Sequence, residues 1–253
     1  MTEEFSSAVE ARIARNIAKA VNARVEQVAA AVALLDAGAT VPFIARYRKE
    51  ATGGLDDTQL RMLEEQLIYG RELEERRAAI LKSLADSGKL TEDLKKQIEE
   101  ADAKQRLEDL YLPYKPKRRT RAQIAKEAGL EPLAEALITD PALDPQQEAN
   151  KYINAEKGVA DVKAALDGAR DILAERFAEN ADMLEMLREF LWNHADLVSS
   201  VLPEVENSEQ TAKYRDYFHY REAMSEIPSH RALAVFRGRQ EGVLTLKMLL
   251  SEE

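Results

Sequence analysis

The sequence lacks cysteine and contains little glycine or proline. Its 253 residues include 10 Gly, 8 Pro and no Cys. The absence of cysteine excludes disulfides and thiolate metal sites. A sheet-rich fold with many tight turns would use more glycine and proline. We therefore predict a mainly α-helical fold.

Long apolar segments are also missing. No apolar run is long enough to cross a bilayer. The amino-terminal segment MTEEFSSAVEARIARNIAK is charged throughout and has no apolar signal-peptide core. We therefore expect no membrane partner and a cytoplasmic location.

Sequence motifs for catalysis are absent as well. The histidines His194, His219 and His230 have no metal-helix spacing. Gly53 and Gly54 are not followed by the Lys and Ser/Thr of a phosphate-binding loop, and there is no G-x-S-x-G elbow. We predict no catalytic residue, no metal site and no cofactor, and hence not an enzyme.

Apolar residues recur at helical spacing along most of the chain. Short helices are expected around Val9–Val21 and Val25–Leu35, and a third opens at Thr40 with Pro42 in its first turn. Asp56 and Gln59 form a capping-box pattern before a helix that extends to about Gly88. Either a kink or two separate helices fits the weak apolar stripe near Gly70.

We predict three parts and an elongated, mainly helical shape. The short helices of residues 1–70 fit a helix-turn-helix-like unit and, equally, any small helical bundle. Residues 71–230 are expected to form a helical arm and bundle, and 231–253 the start of a following domain. The period remains helical from Met183 to Val198. Two β-like runs, Ala232–Arg237 and Val243–Met248, flank a glycine-containing segment and predict a hairpin.

The strongest local signal is a basic stretch in an acidic chain. The formal net charge is −10, so any contact with nucleic acid requires local cation clusters. Tyr111–Arg121 contains no acid, two prolines and five cations, namely Lys115, Lys117, Arg118, Arg119 and Arg121. The segment could bind phosphates, with Tyr111 and Tyr114 as stacking faces. Equally, it could be a solvated loop whose cations pair with acids of neighbouring helices.

Two further segments combine cations with aromatics or a helix end. Arg46, Arg48 and Lys49 lie near the end of the third helix, where they would complement its dipole or contact phosphates. The segment KYRDYFHYRE at 213–222 interleaves aromatic and basic residues. For these aromatics we favour packing over base stacking.

Three long strings resemble one known family. They are VPFIARYRKEATGGLDDTQL, LEDLYLPYKPKRRTRAQIAKEAGLEPLA and KYRDYFHYREAMSEIPSHRALAVFRGRQEGVL. Each is similar, in order and at length, to the amino-terminal region of Tex-type bacterial transcription accessory proteins. The resemblance implies a helix-turn-helix-like unit and a long helical arm. It also implies that the full-length protein continues into RNase-H-like, helix-hairpin-helix and OB-fold domains, which would be partners of this part.

Two functional hypotheses follow. The first is a non-catalytic, nucleic-acid-associated scaffold whose basic residues make weak, sequence-tolerant contacts to RNA or DNA phosphates. The second is a helical docking module for the transcription or RNA-processing machinery, without direct nucleic-acid contact. The resemblance assigns no binding residue, so the eight cations above are chosen on charge alone.

Overall fold

The computed structural model describes residues 2–205 and 209–250. Side chains of residues 2–7, 209 and 210 lie outside this description. The chain divides into two compact units, Met1–Lys115 and Pro116–Glu253. Each unit is described separately below.

The first unit is helical throughout its regular elements. They are α1 (Thr2–Ala20), α2 (Val25–Asp36), α3 (Val41–Tyr47), α4 (Asp57–Asp86), α5 (Glu92–Glu100), α6 (Lys104–Tyr111) and a 3-10 turn at Leu112–Tyr114. The predicted helices around Val9–Val21, Val25–Leu35 and Thr40 are confirmed.

The long helix α4 is continuous through Gly70. Asp56 accepts a hydrogen bond from the Gln59 amide at 2.8 Å, as the capping-box pattern predicts. Thirty residues give a length of about 45 Å. A Cβ on Gly70 would lie 3.1 Å from Ile13 Cγ2. The glycine therefore allows α1 to approach α4 closely, and it interrupts the apolar stripe without breaking the helix.

Apolar side chains of α1–α4 meet in one core. Its fully or almost fully buried members include Ile17, Val28, Ile44, Leu55, Leu60 and Leu63. Because Val41 and Ile44 face this core, the opposite side of α3 is turned to solvent. Burial of one face thus decides which α3 residues are available for binding.

The second unit combines helices with a small sheet. Its elements are α7 (Arg121–Glu127), α8 (Glu131–Thr139), α9 (Pro145–Asn150), a 3-10 turn at Ala155–Lys157, α10 (Val162–Ala178), α11 (Ala181–His194), β1 (Ala195–Val201), a 3-10 helix at Glu209–Tyr217, β2 (His219–Ala223), α12 (Ser229–Gln240) and β3 (Leu244–Leu250). The strand order is β2-β1-β3, antiparallel throughout. The fold is mainly α, as predicted.

The predicted C-terminal hairpin is wrong in its first strand. Residues 232–237 lie in α12, and only β3 is a strand. A Cβ on Gly238 would come within 2.6 Å of Leu244 Cδ1, so this glycine allows α12 to pack on β3. β3 pairs with β1, with Leu246 opposite Ser199. The partner strand lies far back in the sequence, where the local pattern gave no sign of it.

The helical prediction for Met183–Val198 is also wrong at its end. Helix α11 stops at His194 and β1 begins at Ala195. Ala195, Leu197 and Ser199 are buried while the residues between them are partly exposed. This alternation is that of a strand with one covered face.

Candidate nucleic-acid interface

Three cations project from the end of α3 and the turn after it. Arg46 lies in the last turn of α3, and Arg48 and Lys49 follow directly. All three residues are exposed. None of them forms an ion pair with any residue in the described ranges. We name Arg46, Arg48 and Lys49 the α3 basic surface.

The backbone beneath this surface is held by several hydrogen bonds. Thr52 is fully buried, and its hydroxyl donates to the Lys49 carbonyl at 3.2 Å. The Gly54 amide donates to the same carbonyl at 2.9 Å. From α2, Gln27 Nε2 donates to the Gly53 carbonyl at 2.8 Å. The cations therefore extend from a fixed loop.

Aromatic side chains lie beside the α3 basic surface. Phe43 and Tyr47 are 43% and 59% exposed, and their ring centroids are 5.4 Å apart. The Arg48 guanidinium carbon lies 5.8 Å from the Phe43 ring centroid. Arg48 already lies over the Phe43 ring, so the surface joins unpaired positive charge chiefly to the exposed ring of Tyr47. Cations beside exposed aromatic rings are the combination used to bind nucleic-acid strands.

Sequence reasoning did not select Arg24, which lies close to the same loop. Arg24 is the exposed N-cap residue of α2, and its Nε donates to Gln27 Oε1 at 3.3 Å. Since Gln27 also bonds Gly53, Arg24 is linked to the loop of the α3 basic surface. The sequence signal for Arg24 was Gln27, three residues later, at the N3 position of a capping box. Arg24 takes the N-cap position of that box, which normally holds Ser, Thr or Asp.

Within the 111–121 segment, Lys115 lies in the first unit and is paired. It forms an ion pair with Glu108 of α6. Arg76 Nε donates to the same carboxylate at 2.5 Å. Arg76 and then Lys115 stabilise the carboxylate and hold the pKa of Glu108 at about 2, against an ordinary value of 4.5. The charge of Lys115 is therefore largely compensated.

Tyr111 is engaged in the same cluster. Its hydroxyl lies 2.9 Å from Ser83 Oγ, and Arg76 and Lys115 each lie 5.7 Å from its ring centroid. Cations of the protein already cover the ring. A base that stacked on Tyr111 would therefore have to compete with Arg76 and Lys115 for the ring.

The other four cations of the segment lie in the second unit, where two of them form ion pairs with described residues and two do not. Lys117 pairs with Glu179, and Arg119 pairs with Glu127 at 2.5 Å. Arg118 and Arg121 are exposed and form no ion pair within residues 2–205 and 209–250. Three of the segment's five cations are therefore paired with carboxylates.

The aromatic cluster at 213–222 packs inside the second unit, as favoured above. Tyr214 is 3% exposed and lies in a core with Val235, Val243 and Leu244. Lys213 pairs with Glu241 at 2.6 Å. These residues are consequently not a stacking surface.

Two searches of the described residues concern other classes of site. No group of three or more His, Asp or Glu side chains among them is arranged to hold a metal ion. Within the same residues, no helix is long and apolar enough to span a membrane.

Comparison with known proteins decides the family. Residues 11–85 match the model of the Tex-like protein N-terminal domain, and residues 140–253 match the Tex central region-like model. The chain belongs to the Tex family. The α3 basic surface lies inside the matched N-terminal domain of this Tex-family chain, whereas Lys115–Arg121 lies between the two matched regions.

Relatives of this Tex-family chain are much longer than the chain itself. Protein YhgF of Escherichia coli is 64% identical over 92% of the chain, and the match covers 30% of YhgF. Protein tex of Bordetella pertussis is 60% identical over 96% of the chain, and the match covers 30% of that protein. Transcriptional accessory protein Tex of Neisseria gonorrhoeae is 56% identical over 93%, with 31% of its length covered. The chain thus spans about a third of these relatives.

Proposed function

We propose that this chain is a non-catalytic, nucleic-acid-associated scaffold of a transcription accessory factor. In this role it contacts RNA or DNA phosphates without reading sequence. The name of the gonococcal relative, a transcriptional accessory protein, supports the setting. The observation that carries the proposal is the α3 basic surface, whose three exposed cations form no ion pair in the described ranges.

Physical reasons favour weak and sequence-tolerant contacts. Lys and Arg on a fixed loop neutralise phosphates and release counterions, which provides affinity without base readout. In this proposal α2 and α3 are the helix-turn-helix-like pair of residues 1–70. Arg118 and Arg121 add two further contacts, and Lys115, Lys117 and Arg119 contribute less because their charge is compensated. The proposal includes a cytoplasmic location, as expected for contact with bacterial transcripts or chromosomal DNA.

The test is fluorescence anisotropy of labelled RNA and DNA titrated with the chain at several salt concentrations. Arg46→Gln, Arg48→Gln and Lys49→Gln together remove the α3 basic surface. We expect the affinity at low salt to fall by about tenfold or more. The slope of log affinity against log salt should fall by about 2–3, since each phosphate contact contributes roughly 0.7–0.9.

A matched control carries the same change of charge elsewhere. Arg61→Gln, Lys82→Gln and Lys89→Gln alter three exposed cations of the first unit. We expect this variant to keep most of the affinity. Equal losses in both variants, or no binding by the unaltered chain at low salt, would contradict the proposal.

A protein-docking module is the second candidate function. Helix α11 has no buried residue, and Met186, Phe190 and Trp192 are 63%, 45% and 54% exposed. Large exposed apolar side chains on one helix are typical of protein interfaces. This observation favours a partner from the transcription or RNA-processing machinery, or a further domain of the longer protein.

Affinity co-purification tests this second candidate. Met186→Ser, Phe190→Ser and Trp192→Ser should remove a specific partner recovered with the unaltered chain. Leu233→Ser with Phe236→Ser, on the exposed side of α12, provides a comparison of similar polarity change. A partner retained equally by both variants would exclude α11 as the docking site.

A further inference from the structure

A groove of about 500 Å³ lies between α1, α4 and α5 of the first unit. It is separate from the α3 basic surface in its residues. Arg12 and Arg15 line it from α1, Arg77 and Leu81 from α4, and Lys95 from α5. Its remaining lining residues are Ala8, Val9 and Glu99. The volume is in the range of sites for small ligands.

The base of the groove is a fixed arrangement around Arg77. Arg77 is 5% exposed and donates to the Ala101 carbonyl at 2.7 Å and the Glu99 carbonyl at 3.1 Å. It also bonds Glu74 at 3.2 Å. These contacts tie the end of α5 to α4. The helix that carries Lys95 is consequently held in place.

Arg12 is only partly satisfied at this site. One terminal nitrogen of its guanidinium pairs with Glu74. Its Nε is buried and has no hydrogen-bond acceptor among the described residues. A buried donor without an acceptor is costly. The Arg12 side chain as a whole is 36% exposed, so part of it remains accessible to a ligand in the groove.

Arg15 and Lys95 add charge that the protein does not compensate. Neither forms an ion pair with any residue in the described ranges. The lining cations are Arg12, Arg15, Arg77 and Lys95, and the carboxylates facing them are Glu74 and Glu99. Counting the described side chains, the groove is net positive in an acidic chain.

A neighbouring groove shows that this character is not general to the first unit. The second groove, of about 390 Å³, lies between α1, α2 and α4 and is lined mainly by apolar residues such as Ile13, Val32 and Leu67. Its two acids, Glu10 and Asp36, both pair with Arg71. Among the described residues that line it, this second groove has no cation to offer an anion.

We propose that the α1–α4–α5 groove binds a small phosphate monoester. The phosphate lies against Arg12, Arg15 and Lys95, and the organic part contacts Val9 and Leu81. A compact dianion compensates the two unpaired cations and contacts the exposed part of the Arg12 side chain together, since charge-assisted hydrogen bonds are the strong ones. The size of the groove suits a mononucleotide or a sugar phosphate, rather than a duplex.

Isothermal titration calorimetry of the full chain in low-salt buffer tests the proposal. The probes are inorganic phosphate, AMP and adenosine. We expect saturable binding of phosphate and AMP, tighter for AMP, and none of adenosine. Arg15→Gln with Lys95→Gln should weaken binding by about tenfold or more. Both positions are outside the buried core, so the variant is expected to fold.

Two further titrations give sharp controls. Arg61→Gln with Lys89→Gln makes the same change of charge away from the groove and should leave AMP binding unchanged. The triple variant of the α3 basic surface should also keep it, which separates this site from the proposed nucleic-acid contact. No saturable phosphate or AMP binding, or equal binding by the Arg15 and Lys95 double variant, would overturn the proposal.

Discussion

Arg46, Arg48 and Lys49 project from the end of α3 and the turn after it, and the other face of α3 is buried, whereas Lys115, Lys117 and Arg119 lie beside carboxylates. Along the chain, the 115–121 segment has the larger number of cations, five against three. In the fold, the α3 basic surface keeps its charge and the longer segment loses part of it. Neighbouring acids, more than the local count of Lys and Arg, thus determine which cations keep an uncompensated charge.

The largest expected effect is a loss of folding stability, at the cation whose hydrogen-bond donors are most fully used by the protein. Arg77 bonds carbonyls at the end of α5 and the carboxylate of Glu74. Arg77→Met should lower the free energy of unfolding by about 2–4 kcal/mol, because buried acceptors lose their donor. Urea denaturation measures it. Arg61→Met, at an exposed pair with Asp57, should leave the midpoint of urea denaturation nearly unchanged. Similar losses of stability in both variants would contradict the distinction between a buried, hydrogen-bonded cation and an exposed one.

The second prediction concerns the loop that holds the α3 basic surface. Gly53 has φ +61, and a Cβ there would lie 3.0 Å from Gln27 Nε2. Gly53→Ala should cost about 1–2 kcal/mol and weaken nucleic-acid binding, because Gln27 must move from the loop. Gly88→Ala, at φ +66 with nothing within 4 Å, should cost stability alone. Urea denaturation and anisotropy together test this, and an equal loss of affinity in both would show that the loop's rigidity is irrelevant.

The third prediction concerns a variant in which the cations of residues 115–121 have no carboxylate partner among the described residues, like those of the α3 basic surface. Glu108→Gln, Glu127→Gln and Glu179→Gln together free Lys115, Arg119 and Lys117 from their carboxylates. Affinity for RNA or DNA at low salt should rise several-fold, as three more cations become available. Anisotropy titration measures it. Glu65→Gln, Glu75→Gln and Glu92→Gln change the same charge at exposed acids without ion pairs in the described ranges and should raise affinity less. Equal gains of affinity in both variants would show that binding depends only on the net charge of the chain.

The smallest effect is a pH dependence at Glu108. Its pKa of about 2 in the folded protein is below the ordinary 4.5. The folded state therefore binds fewer protons, and the stabilisation is present above about pH 4.5 and is lost as the pH falls towards 2. The contribution should be below about 1 kcal/mol, since the group is partly exposed to solvent. Thermal unfolding between these pH values should show a slope that Glu108→Gln reduces; an unchanged slope would contradict the pairing with Arg76 and Lys115.

Local signals predicted the helices of the first unit well. Asp56 and Pro42 mark helix starts within a single turn, and both act as predicted. The family was equally visible in the residues, because long ordered strings are specific. The three predicted parts with boundaries at 70 and 230 stay a prediction.

Long-range contacts explain the errors in the second unit. The strand β1 and the helix α12 depend on packing with β3, and pairing such as Leu246 with Ser199 leaves no periodic trace near either residue. Gly238 suggested a turn, yet it lies where α12 closely approaches Leu244. A local pattern cannot distinguish a glycine that bends the chain from one that makes room for a neighbour.

The helical character, the family and the positions of the cations follow from the amino-acid sequence, because they depend on composition and on residues close together in the chain. Which of the cations lack a carboxylate partner depends on the folded arrangement. Glu108, Glu127 and Glu179 compensate one basic segment, while burial of Val41 and Ile44 turns the other to solvent. Electrostatic attraction acts through space, so the partner of a charge is set by the fold and not by its neighbours in the sequence.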